Sequence, residues 1–246
     1  MRKTKIIATI GPASIDYEVM KKMVKAGLNI VRINLSHARI EDMDLIVKNV
    51  KKLRKELKVT LPIMIDTRGP EVRVKTFKNG SIDIKKGQMF TFTGRDIEGD
   101  QNAVSFNTPD IVKCIKVGNK ILAVNGLLTF KVVDIQGKDV ITRAMNSGTL
   151  SNRKSLSIPN VKYSTPYLNT ADKNDILWAI KNDVEWIAAS FVNSKEDLFA
   201  LRSFIEKNGG DMKIVSKIES AVGVKNIDEI ISYSDAIMVA RGDLGV

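Results

Sequence analysis

Cysteine is almost missing from this chain: Cys114 is the only one in 246 residues. A lone cysteine excludes an internal disulfide and any zinc site built on cysteine spacing, and it fits a reducing compartment. Histidine is equally scarce. With His37 alone, no imidazole cage for a metal can form and no Ser/His/Asp signature appears. His37 itself reads equally well as a packed or hydrogen-bonded residue or as a ligand. Aromatics make up 6% of the residues and do not interleave with the basic ones, so the stacking platform of a single-strand binder is missing and nucleic acid is not expected as a partner. No apolar run approaches the roughly 18 residues of a membrane span. The basic start, Met1-Arg-Lys-Thr-Lys-Ile6, runs straight into a strand-like segment with no secretory apolar region.

What the chain has is a hydrophobic content of 43% and a net charge of +11. The first supports a substantial core in one large α/β domain, with or without an insert. The second suits either nucleic acid or phosphorylated small molecules. The lysines are spread widely, and Lys48, Lys51, Lys52, Arg54, Lys55 and Lys58 read as the solvated face of one amphipathic helix.

Strand and helix patterns alternate at both ends of the chain. Strands are expected at 5–10, 29–35 and 61–66, with helices at 16–26 and 40–57 between them. From 72 to 157 the pattern becomes short β-type runs punctuated by Asn79-Gly80, Lys86-Gly87, Asn125-Gly126 and Gln136-Gly137, which reads as an inserted all-β domain. Helices then return at 171–181, 194–208 and within 222–232, with strands at 185–191, 213–219 and 234–243. Six parallel-type strands with polar residues at their C-terminal ends follow the logic of a (β/α)8 barrel, two strands short of eight.

Those strand ends carry the candidate chemistry. Lys217 and Glu219 alternate on one expected strand, Asp243 closes another, and Arg32, Asn34 and Ser36 alternate on a third. Alternate residues of a strand share a face. Charge buried beside Val and Ile is costly unless it is paired or holds a ligand. Two carboxylates, a lysine and an arginine suit a metal and an anion bound together. A structural Lys217–Glu219 ion pair is the plainer alternative.

Six segments in order, Thr9-Ile-Gly-Pro-Ala-Ser14, Arg32-Ile-Asn-Leu-Ser-His37, Ile65-Asp-Thr-Arg-Gly-Pro-Glu-Val-Arg73, Ala189-Ser-Phe191, Ser216-Lys-Ile-Glu219 and Val239-Ala-Arg-Gly-Asp-Leu-Gly-Val246, together resemble the pyruvate kinase family. The resemblance implies a TIM-type α/β barrel with about six of its eight strands present. The first part would lie at 1–71, a small all-β barrel lid would be inserted at 72–157, and the second part would lie at 158–246. It implies phosphoryl transfer from phosphoenolpyruvate to ADP, giving pyruvate and ATP in cytoplasmic glycolysis. Lys217 and Arg32 would stabilise the phosphoryl group, and Gly242 and Asp243 would contact substrate. Glu219 and Asp243 would hold Mg2+ or Mn2+, and Asn34, Ser36, Asp66 and Thr67 would hold K+. The nucleotide would meet Asn34, Leu35, Ser36, His37, Arg73 and Lys154. Glu71 matches the potassium-dependent form of its motif. The parent would be a homotetramer without membrane contact.

The sequence departs from the family pattern at Ala38, at Val124-Asn125 in place of paired aspartates, and at Ser155 and Asn160 in place of glycines. The family's last two barrel strands and its C-terminal regulatory domain have no counterpart in the sequence. The expectation for this chain alone is therefore little or no turnover. The rival reading is a non-catalytic relic that binds phosphorylated ligands or a protein partner.

Overall fold

The computed structural model describes residues 3–159, 161 and 166–245, with the side chain of Asp243 outside the description. Along the chain, β1 (Ile7–Thr9) leads to α1 (Tyr17–Lys25), β2 (Ile30–Asn34), α2 (Ile40–Leu57) and β3 (Ile63–Asp66). Nine short strands follow: β4 (Val72–Arg73), β5 (Ser81–Ile84), β6 (Met89–Thr93), β7 (Ala103–Ser105), β8 (Lys120–Ala123), β9 (Leu128–Gln136), β10 (Asp139–Ala144), β11 (Gly148–Ser151) and β12 (Ser155–Ser157). The alternation then resumes with α3 (Thr170–Lys181), β13 (Trp186–Ala189), α4 (Lys195–Lys207), β14 (Lys213–Ile218), α5 (Ala221–Lys225), α6 (Ile227–Ser232), β15 (Ala236–Val239) and α7 (Arg241–Leu244). No helix among the described residues is long and apolar enough to cross a membrane.

The helices begin where side chains satisfy their first backbone N–H groups. Asp16 accepts from Glu18 N and Val19 N at 3.0 and 3.1 Å. Asn169 accepts from Asp172 N at 2.8 Å, and Ser194 forms a reciprocal capping box with Asp197. Each replaces an intrahelical partner that the first turn lacks.

The chain divides into two compact units. One comprises Met1–Gly69, Tyr167–Ile218 and Gly223–Val239, and the other Pro70–Pro166, Glu219–Val222 and Ala240–Val246. The first holds a six-stranded parallel sheet in the order β1-β2-β3-β13-β14-β15. Its register is staggered. Arg32 pairs with Met64, and Met64 with Trp186. One step on, Asn34 pairs with Asp66, Asp66 with Ala188, and Ala188 with Val215. One face of this sheet carries the apolar layer of Met64, Ala188 and Val215, joined by Ile30, Trp186, Ala236 and Met238. Arg32, Asn34, Asp66 and Lys217 share that face by the two-residue period, nearer the C-terminal strand ends.

The second unit holds a seven-stranded sheet in the order β4-β12-β8-β9-β10-β6-β7 and a β11-β5 pair. A Val74–Phe106 bridge joins the chain just past the two end strands, β4 and β7, so the sheet curls toward closure. Its core is one apolar cluster in which Phe90, Phe92, Phe106 and Phe130 are fully buried. Phe92 meets Phe90 and Phe130 edge-on at centroid distances of 5.2 and 5.0 Å and stacks on Phe106 at 5.6 Å.

The expected strands run a little long, and at three of them the shortening moves a candidate residue off the strand. β2 stops at Asn34, so Ser36 lies in a turn whose backbone N–H donates to Asn34 Oδ1 at 3.0 Å. β14 stops at Ile218, placing Glu219 one residue beyond it. The last strand stops at Val239, and Asp243 sits on the helical turn α7. The reason is register: Val239 pairs with Ile218, the last residue of β14. Beyond it β14 offers no partner, and Leu244 N turns back to Ala240 O at 3.1 Å instead.

Candidate active site

In the first unit, β2 and β14 each deliver a cation to one buried carboxylate on β3. Asp66, at the end of β3, is 2% exposed. Its Oδ2 accepts from Arg32 Nε at 2.7 Å and from Arg32 Nη2. Its Oδ1 accepts from Lys217 Nζ at 3.0 Å. Lys217 Nζ also donates to Ser190 Oγ at 2.7 Å, and Ser190 Oγ lies 2.7 Å from Thr67 O. Arg32 Nη1 donates to Thr9 Oγ1 at 2.6 Å. Three of the five guanidinium N–H donors are thus committed and two remain for a ligand. Two guanidinium donors on the single Oδ2 fix the plane of the guanidinium, which a lysine at this position could not do.

The backbone around Ser190 is tightly determined. Phe191 adopts φ +55°, a conformation uncommon for a bulky residue. Gly69 adopts φ +67°, and a Cβ there would lie 3.0 Å from both the Cβ and the carbonyl oxygen of Ser190. Tyr167 OH donates to the same carbonyl at 2.8 Å, and Ser190 N donates to Thr67 Oγ1 at 3.0 Å. Such over-determination is what holds a strained residue in place.

A second carboxylate braces the segment that leaves β3. Asp172, buried in the first turn of α3, accepts from Arg68 N at 3.2 Å, Gly69 N at 3.4 Å and Asn169 Nδ2 at 2.7 Å. Burial pushes its carboxyl up to about 6, against the opposing pull of the Gly69 and Arg68 amides. Asp175, one turn on, is also raised by burial. It pairs with Arg68 Nη2 at 3.3 Å without hydrogen-bond alignment, while Arg68 Nε donates to Leu35 O at 3.0 Å.

The structure therefore gathers Arg32, Asp66, Thr67 and Lys217. It adds Ser190, Gly69, Tyr167 and Asp172, none of which the sequence reading assigned a role. Ser190 carried a signal, a hydroxyl at a strand's C-terminal end. The others depend on backbone geometry that no spacing reveals. Lys217 pairs with Asp66, whose strand β3 is separated from β14 by β13. Of the proposed potassium set, Asn34 is cross-strand partner to Asp66, and Leu35 N donates to Asp66 O at 3.1 Å. Leu35 is fully buried, so only its backbone could meet a nucleotide. Ser36 and His37 are exposed.

In the second unit, Arg73 binds Glu71 through Nε at 2.8 Å and Nη2 at 2.6 Å, and its Nη1 donates to Arg153 O at 2.8 Å. Glu71 also accepts from Ser155 Oγ. Lys154 is exposed, and its carbonyl accepts from Val74 N at 3.0 Å. Glu219 is 5% exposed. Gly242 is exposed on α7, where a Cβ would meet nothing. The side chain of Asp243, and Asn160 as a whole, lie outside the described residues. Among the described residues, no three His, Cys, Asp or Glu side chains gather as a metal cage.

Residues 1–246 match the family described as "Pyruvate kinase, barrel domain". The chain is 40% identical over 248 residues to the pyruvate kinase of Clostridium perfringens, with all of this chain covered and 52% of that protein. It is 39% identical to that of Bacillus licheniformis, with all of this chain covered and 43% of that protein. In structure it is similar to a pyruvate kinase from Cryptosporidium parvum, with a TM-score of 0.91 and 34% identity over 99% of this chain and 52% of that one. The chain thus spans about half the length of the relatives it matches.

Proposed function

The chain belongs to the pyruvate kinase family through its barrel domain, and from that premise we propose that its site serves phosphoryl transfer from phosphoenolpyruvate to ADP, giving pyruvate and ATP in cytoplasmic glycolysis. The observation that carries the proposal is the convergence of Arg32 and Lys217 on buried Asp66. A phosphoryl group in flight spreads negative charge over its peripheral oxygens, so positioned cations lower the barrier more than any covalent step. Asp66 holds both cations in one orientation before substrate arrives, and the two uncommitted Arg32 donors are there for phosphoryl oxygens. Lys217 would neutralise the charge that develops as the enolate leaves, and Ser190 fixes its ammonium group.

Mg2+ or Mn2+ fits the donor set: the buried Glu219 and a second carboxylate in the sequence, Asp243, with no sulfur or imidazole nearby in the motif, suit a hard ion that keeps waters and substrate oxygens. Bound there, the ion would supply charge neutralisation at the substrate. Potassium would be held by Asn34, Ser36, Asp66 and Thr67, with Arg73, Lys154 and the 34–37 segment contacting the nucleotide.

Calorimetric titration of the chain with phosphoenolpyruvate, with and without Mg2+ or Mn2+, tests this reading. Metal-dependent binding is expected, weaker in Lys217→Ala and in potassium-free buffer. Glu219→Gln should shift the metal titration. Equal binding with and without metal, or no loss in Lys217→Ala, overturns the site assignment. A parallel turnover assay with ADP separates a working enzyme from a relic that only binds.

A further inference from the structure

Arg73 and Ser155 are direct cross-strand partners where β4 pairs with β12 in the second unit. Direct partners in antiparallel strands project from the same face, and residues two apart along one strand share it. Glu71, two before Arg73, is therefore the diagonal neighbour of Ser155. The three side chains connect in series. Ser155 Oγ donates to Glu71 Oε1. Glu71 Oε2 accepts from Arg73 Nε at 2.8 Å and lies 2.6 Å from Arg73 Nη2. Arg73 Nη1 donates to Arg153 O at 2.8 Å. The side chain of Glu71 is 14% exposed and that of Arg73 is 32% exposed, so the carboxylate is enclosed while the guanidinium reaches solvent.

The backbone at this place is held without the Ser155 hydroxyl. Asn107 Oδ1 accepts from Arg73 N at 2.8 Å, Asn107 N donates to Arg73 O at 2.9 Å, and Asn107 Nδ2 donates to Glu71 O at 3.0 Å. On the other side Val74 N donates to Lys154 O at 3.0 Å, and the cross-strand partners Val72 and Leu156 are both buried in the unit's core. What the hydroxyl adds is a fixed carboxylate. Among the described residues, Ser155 Oγ is the one hydrogen-bond donor to Glu71 Oε1. Without it an enclosed carboxylate oxygen is left unsatisfied, and the carboxylate, with the guanidinium it orients, gains other orientations.

We propose that Ser155 is a positioning residue for nucleotide binding: its hydroxyl, acting through Glu71, holds the Arg73 guanidinium in the orientation that receives the diphosphate of ADP. The proposal rests on the reading of Arg73 as a nucleotide contact. Glu71 and Arg153 engage three of the five guanidinium N–H groups, which leaves one on each terminal nitrogen. Two such donors suit phosphate oxygens, and they bind them more tightly when the guanidinium plane is set before the ligand arrives. Serine stands here in place of the glycine of the family pattern. Glycine has no hydroxyl to give, so this link to Glu71 is a device of this chain.

Calorimetric titration of the full chain with ADP tests the proposal in Ser155→Ala, Ser155→Thr, Arg73→Met and the Ser155→Ala/Arg73→Met double variant. Ser155→Ala should weaken ADP binding about fivefold, since a hydrogen bond to a charged group is lost one step from the ligand. Ser155→Thr keeps a hydroxyl and should bind as the parent does. In the Arg73→Met background Ser155→Ala should change nothing further, because a residue that acts through Arg73 has no effect once Arg73 is gone. A purely structural role would instead lower affinity by the same factor in both backgrounds. The Arg73 Nε–H resonance, assigned by its loss in Arg73→Met, should be sharp in the parent and in Ser155→Thr and broadened in Ser155→Ala, with no nucleotide present. A resonance that Ser155→Ala leaves unchanged, full ADP affinity in that variant, or additive losses in the double variant each overturns the proposal. If Arg73→Met itself leaves ADP binding intact, the nucleotide reading of Arg73 falls and takes the proposal with it.

Discussion

Lys217 and Asp66 meet at 3.0 Å across the parallel sheet, with β13 lying between their strands. The same carboxylate is held from the other side by Arg32. One buried anion thus organises two cations from strands that are not neighbours. The two ends of this pair are not equivalent. Removing Lys217 leaves Asp66 with Arg32, whereas removing the charge of Asp66 leaves two cations facing each other.

Asp66→Asn is therefore expected to cost more stability than Lys217→Met. Breaking one partner out of a buried pair costs about 3–5 kcal/mol. The lower end applies here, because the Arg32 side chain is 27% exposed and water screens it. Lys217→Met should cost roughly 1–2 kcal/mol, since a hydrogen-bonded charge is lost while Asp66 keeps a partner. Urea denaturation of the two variants gives the order directly. Equal costs would mean that Asp66 does not organise both cations.

Gly69 is required for two separate reasons, and a pair of variants separates them. Gly69→Ala must adopt φ +67° and push a methyl group to 3.0 Å from Ser190. Gly80→Ala must adopt φ +79° but meets nothing within 4 Å. Left-handed strain alone costs about 1–2 kcal/mol, so Gly80→Ala reports that contribution. Gly69→Ala should exceed it and should also weaken phosphoenolpyruvate binding, because Ser190 anchors Lys217. If the two variants lose equal stability and both keep full binding, the close approach to Ser190 carries no weight.

Asp172 sets a pH dependence of known sign. Burial raises its carboxyl from the ordinary 3.8 to about 6. Between those values the folded chain binds the proton and the unfolded chain does not, so this group's contribution to stability falls as pH rises from about 4 to about 6. Above that window the ionised form stays buried at a cost, which the Arg68 and Gly69 amides partly offset. Asp172→Asn should flatten this stretch of the stability–pH curve. The gain at neutral pH is opposed by the lost acceptor for Asn169 Nδ2. Chemical denaturation at pH 4.5 and 7 for both proteins measures it, and identical pH profiles would remove Asp172 as the titrating group.

The alternation of strand and helix was legible because the outer segments follow simple periods, and the inserted β region because Asn79-Gly80, Lys86-Gly87 and Gln136-Gly137 mark turns that need glycine's freedom. Gly80, Gly87 and Gly137 indeed adopt positive φ. Arg32 and Lys217 stood out as charges on apolar strands, whereas Asp66 entered only through the family resemblance. That they converge on one carboxylate was not legible, since it depends on the stagger between β2, β3 and β14. The end of β15 was missed because it is set by where β14 stops, not by its own residues. Val124, at φ +54° ahead of Asn125, shows the same limit: the turn was evident from Asn-Gly, but a β-branched residue in the left-handed region was not.

The outermost strands of the parallel sheet, β1 and β15, each pair on one side only among the described residues. Their surroundings are apolar. Ile6 and Ile7 are 46% and 42% exposed, and Val239 is 63% exposed. Phe199 on α4 and Tyr233 just after α6 pack edge-on at 4.7 Å yet both remain exposed. Parallel sheets are normally covered on both faces, and an apolar edge with unpaired N–H and C=O groups is a template for another chain. The 246-residue chain is therefore expected to self-associate as its concentration rises. Val239→Lys places a charge at the C-terminal end of this edge and should shift the equilibrium toward monomer, because a buried ammonium would oppose pairing. Lys213, whose side chain is 59% exposed and already meets Asp235 at 3.4 Å, offers a control, since Lys213→Gln leaves the edge unchanged. Sedimentation velocity over a concentration series decides the matter. A chain that stays monomeric throughout, or a Val239→Lys variant that associates as the parent does, would show that this edge is protected in a way its exposed residues do not reveal.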